Sequence, residues 1–268
     1  MAGSVKNGSV KIGNTQMYYV AFGKGEKNLV VLPGLSDGLA TVKGKALFIK
    51  GDYKKYLNDF TVYMFSRKNE MPQGYSIRDM AEDQVTAMKS LGITKSSVLG
   101  VSQGGMIAQY IAINHPEIMD KLILAVTTPY ANNVVKTAVS GWIEMAKNGD
   151  HVTLMVDTAE KMYSEQYMKK NKKMFPLMAR FTKPKTYERF LRNAYAILDF
   201  DARNELSKIQ CPTFIVSGSD DKTVGNDAPK EFSQSISDTK VYIYEGLGHG
   251  TFTEAKDFYD RILAFLKK

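Results

Sequence analysis

The segment from Val98 to Ala108 has the pattern in which a serine hydroxyl is presented as a nucleophile. A short apolar run leads into Gly100-Val101-Ser102-Gln103-Gly104, and a helix-like segment follows at once. Gly-x-Ser-x-Gly at a strand-to-helix turn holds the serine hydroxyl out from the sheet. Gly100 and Gly104 suit such a turn because a Cβ at either position would clash with closely packed backbone. The pattern predicts Ser102 as a nucleophile, and an ordinary glycine-rich loop is the alternative for the motif taken alone.

A serine hydroxyl is a weak nucleophile at neutral pH and needs a base, for which the chain offers three histidines. His115 lies before a proline at the end of the helix that follows Ser102, which favours a surface position. His151 lies in a polar turn and is expected to be exposed, in a loop or at a helix cap. His249 comes just after the last apolar strand, where the carboxyl ends of parallel strands gather, and is therefore the predicted base.

The base in turn needs a carboxylate that fixes its tautomer and stabilises the imidazolium. The loop after the apolar run Thr213 to Val216 contains Asp220 and Asp221, both at the same edge as Ser102. Neighbouring side chains in a loop point in different directions, so only one of the two is expected to reach His249. The chain order of serine, acid and histidine is typical of one of the known triad arrangements.

Acyl transfer also needs hydrogen-bond donors for the oxyanion of the tetrahedral intermediate. One predicted donor is the backbone N–H of Gln103, the residue after the nucleophile. The other is the backbone N–H of Leu35, in the loop Pro33-Gly34-Leu35 that ends the first buried strand. The run from Asp37 to Lys43 follows this loop and can border a pocket, but its residues indicate no mechanism.

Apolar runs and helical periodicity alternate along most of the chain. A strand pair over residues 9–22 turns at Gly13-Asn14, and a capping box at Ser76 and Asp79 opens a helix. Buried strands are predicted at Leu29–Leu32, Thr61–Phe65, Ser97–Val101, Leu122–Val126, Thr213–Val216 and Lys240–Tyr244, with helices at Met106–Asn114 and about Thr253–Leu266. This alternation indicates an α/β fold with a mostly parallel, doubly wound sheet. Only the stretch from Tyr130 to Ser207 lacks a strand signal, and it reads as a helical insertion.

Taken together, these motifs resemble the α/β-hydrolase superfamily over nearly the whole chain. The resemblance implies a core of residues 1–129 and 208–268 and a helical cap of residues 130–207, inserted between two late strands, all in one folding unit. It selects Asp221 over Asp220, because the acid in that family commonly follows the strand's glycine by three residues. Pro33 departs from the His-Gly-x common in the family, which removes a side-chain support but leaves the Leu35 N–H available.

Within the insertion, apolar side chains are expected to supply the substrate pocket, although most of them are expected to be core. The candidates are Trp142, Met145, Met155, Met162, Met168, Met174 and Met178.

Composition limits the class of protein. The net charge is +8, and its densest cluster is Lys169, Lys170, Lys172 and Lys173. The cluster is best read as a solvated helical face; no nucleic-acid motif accompanies it, and an acidic substrate or a membrane surface is a weaker alternative. We expect no nucleic-acid partner, no stable membrane insertion, no metal and no cofactor. A single cysteine, Cys211, and no visible secretory signal favour a buried structural thiol in a cytoplasmic protein. The oligomeric state is not indicated.

The predicted function is hydrolysis of a small or medium carboxylic ester or thioester through an acyl-enzyme. C–C bond hydrolysis, lyase or acyltransferase chemistry on the same triad is an alternative, for which a carboxylated substrate would need a charged pocket residue such as Arg180, Arg189 or Arg192. A ligand-sensing receptor on the same fold is a third interpretation.

Overall fold

A computed structural model describes residues 5–268, and eight strands in it form one sheet. Residues 1–4, which the predicted core includes, lie outside the described residues. The strands are β1 (Val5–Ile12), β2 (Thr15–Gly23), β3 (Lys27–Leu32), β4 (Phe60–Lys68), β5 (Ser96–Val101), β6 (Met119–Ala125), β7 (Thr213–Gly218) and β8 (Thr239–Tyr244). Their order is β1-β2-β4-β3-β5-β6-β7-β8; β1 with β2 and β2 with β4 are antiparallel, and every other pair is parallel. The predicted mostly parallel sheet is confirmed.

Helices cover both faces of this sheet, which explains why its central strands are apolar at successive positions. Along β3, Val30 and Leu32 belong to one buried cluster, while Leu29 and Val31 belong to another on the opposite face. The helices are α1 (Ala46–Ile49), α2 (Ile77–Ser90), α3 (Gln103–Asn114), α4 (Asn133–Lys147), α5 (His151–Met162), α6 (Glu165–Asn171), α7 (Met174–Thr182), α8 (Glu188–Leu198), α9 (Ala228–Ser235), α10 (Thr251–Glu254) and α11 (Phe258–Leu266). Short 3₁₀ helices lie at Leu35–Gly38, Lys54–Tyr56, Pro116–Ile118 and Arg203–Lys208.

Five helices, α4 to α8, stand between β6 and β7 where the sequence predicts a helical insertion. Backbone hydrogen bonds join the two ends of this segment: Ala131 N–H donates to Phe200 O, and Ala202 N–H donates to Pro129 O, each at 2.9 Å. The segment therefore leaves and re-enters the core at one place. Its boundaries as a cap of residues 130–207 stay a prediction.

The prediction of one helix over about Thr253–Leu266 is wrong, because two helices, α10 and α11, occupy this part of the chain. The chain leaves the helical conformation at Ala255, where φ is −82° and ψ is 114°, and α11 begins three residues later. In a continuous helix Phe252 and Phe258 would project from different faces. The break lets their rings meet edge to face with centroids 6.4 Å apart, so aromatic packing overrides the helical periodicity.

Candidate active site

Ser102 occupies a strained turn between β5 and α3. Its φ of 54° and ψ of −121° lie outside the regions favoured by residues other than glycine. The neighbouring glycines permit the turn: a Cβ added at Gly104 would lie 1.9 Å from Leu32 O, and one at Gly100 would lie 2.5 Å from Gly104 O. The structure thus has the sharp strand-to-helix geometry that the motif predicts.

We predict that Gly104→Ala destabilises the fold by about 3 kcal/mol or more, because the added methyl would overlap rigid backbone. Gly141→Ala is the matched control: Gly141 lies within α4 and its added Cβ would meet nothing within 4 Å, so a gain of about 0.5–1 kcal/mol is expected. Urea unfolding of both variants measures the difference. A Gly104→Ala protein as stable as the wild type would contradict the observed turn.

Asp221 and His249 are hydrogen-bonded to each other in a buried position. His249 Nδ1 and Asp221 Oδ2 are 2.8 Å apart, and both residues are less than 5% exposed. The other carboxylate oxygen of Asp221 accepts the N–H groups of Thr223 at 2.8 Å and Val224 at 2.9 Å. These bonds orient the carboxylate toward the ring. At the end of β7, Gly218 allows the two loops to meet, because a Cβ there would lie 2.1 Å from Leu247 O.

Ser102, Asp221 and His249 follow β5, β7 and β8, so all three come from the carboxyl edge of the parallel strands. Within residues 5–268, the side chains of Ser102 and His249 form no hydrogen bond with each other. Because Nδ1 is engaged by Asp221, Nε2 is the ring nitrogen left for a hydroxyl proton. Catalytic hydrogen bonds are often long before substrate binds, so this geometry is compatible with a serine–histidine pair. Asp220 is exposed and accepts a hydrogen bond from Ser219.

Leu35 and Gln103 each begin a helix, which leaves their backbone N–H groups without an intrahelical acceptor. The loop that carries Leu35 lies beside the nucleophile, since a Cβ at Gly34 would stand 3.2 Å from Ser102 Cβ and 3.7 Å from its Oγ. Two backbone N–H groups at helix starts therefore lie close to the Ser102 turn.

Asp37, two residues after Leu35, belongs to a charge cluster that the sequence did not predict. Its other members are Arg67, which is buried, and Arg189, which is largely buried. Asp37 Oδ2 accepts from Arg67 N–H at 2.9 Å and from Arg189 Nη2 at 2.6 Å. The Arg189 guanidinium, on α8, also donates to Asp37 O and to Arg67 O. Burial lowers the pKa of Arg67 to about 10, while Asp37 opposes the shift and Arg189 adds to it.

The same cluster holds the side chain of Gln103 in place. Arg67 Nη2 donates to Gln103 Oε1 at 3.0 Å, and Gln103 Nε2 donates to Asn193 O at 2.8 Å. A chain of polar contacts thus runs from the Leu35 loop through Arg67 to the residue after Ser102 and on to α8. In the sequence, Asp37 lies in a run to which no mechanism was assigned, and Arg189 was one of three arginines offered as a contact for a carboxylated substrate under the alternative chemistry.

Helices α5 and α6 lie directly on the segment that carries His249. Gly250 N–H donates to Met162 O at 2.7 Å, and the ring of Tyr163 occupies the space that a Gly250 side chain would need. Ser164, which caps α6, donates to Glu254 through its hydroxyl at 2.5 Å. Of the methionines proposed for the pocket, Met162 is therefore next to the His249 loop.

Other residues singled out from the sequence lie elsewhere. His115 is paired with Glu82 at the far end of α3. The expectation of an exposed His151 is wrong: it is 3% exposed because its ring packs between Tyr187 and Thr182, whose Oγ1 lies 3.2 Å from Nε2. Trp142 is part of the buried core, and its indole N–H donates to Asp157. Burial raises the pKa of the Cys211 thiol to about 11, which makes this thiol a poor nucleophile.

An open cleft of about 980 Å³ borders the back of Asp221, between residues 130–136, 198–203 and 221–227. Its lining includes neither Ser102 nor His249, so it is not the space in which Ser102 would meet a substrate. Across residues 5–268, no group of three His, Cys, Asp or Glu side chains is arranged to hold a metal ion. Over the same residues, no helix has the length and apolar character needed to cross a bilayer.

Comparisons with known proteins agree with this fold. The α/β-hydrolase fold family model matches residues 27–256. A relative from Pseudomonas savastanoi pv. phaseolicola, named as the candidate carbamate hydrolase RutD, is 24% identical over 244 residues, which cover 87% of this chain and 92% of that protein. The human serine hydrolase BPHL is 26% identical over 234 residues, covering 82% of this chain and 72% of that protein.

The crystal structure of MGS-M2, an α/β-hydrolase enzyme from a deep-sea metagenome library, superposes with a TM-score of 0.85. The two chains are 20% identical, and the match covers 97% of this one and 98% of the other. Since the family model spans most of the chain, the chain belongs to the α/β-hydrolase superfamily and is a hydrolase.

Proposed function

We propose that this hydrolase cleaves small or medium carboxylic esters or thioesters with Ser102 as nucleophile, His249 as base and Asp221 as orienting acid. The observation that carries the proposal is the buried 2.8 Å hydrogen bond from His249 Nδ1 to Asp221, at the sheet edge where the strained Ser102 turn stands. A base oriented in this way leaves Nε2 free to take the hydroxyl proton. The name of the relative BPHL as a serine hydrolase supports the same mechanism.

In the proposed reaction, Ser102 Oγ attacks the substrate carbonyl carbon while His249 Nε2 accepts the hydroxyl proton. The carbonyl oxygen becomes an oxyanion and accepts hydrogen bonds from the N–H groups of Leu35 and Gln103. When the intermediate collapses, His249 returns the proton to the leaving alcohol or thiol. Water, activated by the same base, then attacks the acyl-enzyme and releases the acid and free Ser102.

The arginines of the helical insertion do not favour the C–C hydrolase, lyase or acyltransferase alternative. Arg189 is held by Asp37 and by carbonyl oxygens, and Arg192 contacts Glu188. Arg180 is exposed on α7. None of the three is therefore a free buried cation facing Ser102. An ester, a thioester or the carbamate named for RutD would present the same carbonyl carbon to Ser102.

Hydrolysis of p-nitrophenyl esters with increasing acyl length tests the proposal. We expect turnover that is highest for short or medium acyl chains and falls for long ones, because α5 and α6 lie against the His249 loop. The matching p-nitrophenyl carbamate measures whether the site prefers a nitrogen-bearing carbonyl. Absence of turnover with every ester, in a folded protein, would contradict ester hydrolysis.

If the ester-inactive protein still gained thermal stability from a ligand, the receptor interpretation would replace the enzyme one.

A further inference from the structure

Helix α7 exposes an apolar stripe on the surface of the insertion. Met174, Leu177, Met178 and Phe181 are spaced along one face, and their exposed fractions are 37%, 56%, 42% and 83%. The opposite face is buried through Phe175 and Ala179. The stripe is therefore apolar surface beyond what is needed to pack the helix onto the protein, and such a contiguous patch marks an interaction site.

Basic residues flank this stripe along the sequence. Residues 169–185 contain Lys169, Lys170, Lys172, Lys173, Arg180, Lys183 and Lys185, all exposed, and no Asp or Glu. These seven cations account for most of the chain's net charge of +8. Ionic pairing takes up little of this charge, because Lys172 and Glu160 stand 3.9 Å apart in solvent and Lys183 donates to a carbonyl oxygen, that of Gly149.

We propose that α7 and its flanking cations, residues 169–185, dock the protein on an anionic membrane surface. A helix with an exposed apolar face and Lys or Arg beside it lies at the boundary between headgroups and acyl chains, where negative lipids attract the cations. A second copy of the chain fits the surface poorly, because a symmetric contact would bring the two sets of seven cations together. A soluble ligand fits poorly too, since the stripe is the convex side of a helix and not a cleft.

The docking surface is connected to the segment that carries His249. Phe175, on the buried face of α7, stacks on Tyr163 with ring centroids 5.7 Å apart. Tyr163 in turn packs against Gly250, next to His249. The docking surface is therefore linked through the rings of Phe175 and Tyr163 to the residue that follows His249. The docking itself needs neither Ser102 nor His249 and can be tested apart from hydrolysis.

Co-sedimentation with lipid vesicles tests the proposal. We expect the wild type to bind phosphatidylcholine vesicles that contain phosphatidylglycerol, to ignore phosphatidylcholine alone, and to be released by salt. Leu177→Ser/Phe181→Ser should lower the partition coefficient at least about tenfold, because two apolar side chains no longer enter the interface. Replacing the four lysines at 169, 170, 172 and 173 by glutamine should weaken binding to the anionic vesicles.

The matched control is Leu47→Ser/Phe48→Ser, which removes similarly exposed apolar side chains from α1, beside β1 and β2. This control and Ser102→Ala should bind as the wild type does. Equal binding to neutral and anionic vesicles, no binding at all, or loss of binding in both serine pairs would overturn the proposal. A wild-type dimer that becomes monomeric in Leu177→Ser/Phe181→Ser, without vesicle binding, would assign the stripe to self-association instead.

Discussion

Replacing Ser102 by alanine is expected to lower kcat for p-nitrophenyl ester hydrolysis by about 10⁴–10⁶-fold, with little change in stability. The loss is large because the acyl-enzyme route needs an oxygen nucleophile at this position. His249→Ala should cause a similar loss, and the double variant should be no worse than either single one, because the two residues act as a unit. Steady-state kinetics with highly purified protein measures all three variants.

His115→Ala is the matched control for the histidine, since it lies at the far end of α3 with Glu82 as its partner. It should keep the wild-type kcat. Additive losses from Ser102→Ala and His249→Ala, or an active Ser102→Ala enzyme, would separate the two residues and contradict the proposed mechanism.

Asp37→Asn should destabilise the fold by about 3–5 kcal/mol, because it leaves Arg67 and Arg189, beside the loop that carries Leu35, without their counter-charge. The side chains of Asp37 and Arg67 are each 1% exposed, so water cannot replace the lost carboxylate. We also expect a lower kcat in the folded fraction, since Arg67 holds the side chain of Gln103. Urea unfolding and kinetics on the same preparation measure the two effects.

Asp260→Asn gives the comparison for an ordinary surface ion pair. Asp260 stands 2.7 Å from Lys55, with side chains 46% and 69% exposed, and its removal should cost less than about 1 kcal/mol. If Asp37→Asn were no more costly than Asp260→Asn, the buried cluster would have no structural role.

The sequence predicted the local structure best at positions where only one residue type fits the backbone. Gly100 and Gly104 indicated the tight turn because no other residue fits against Leu32 and Gly104 backbone, and the turn is there. The alternation of apolar strands with helices predicted the parallel sheet, including the helical insertion after β6. The two acids after β7 could not be separated by residue type alone.

What the sequence did not reveal depends on tertiary contacts between distant segments. Asp37 and Arg189 are separated by 152 positions and meet only because α8 packs on the loop after β3. His151 looked exposed because its local sequence is polar, yet α7 and Tyr187 cover it. The sequence also did not indicate the strained backbone at Val126, where φ is 44°. A β-branched residue rarely adopts a positive φ, so its presence there could not be predicted from residue type.

Labelling with a fluorophosphonate, followed by peptide mass spectrometry, tests the central claim most directly. The reagent reacts preferentially with a serine whose hydroxyl is activated by a base. We predict one adduct, on the peptide that contains Ser102, with labelling abolished in Ser102→Ala and in His249→Ala. An adduct on another residue, or a folded wild type that is not labelled, would contradict the assignment of Ser102 as the nucleophile.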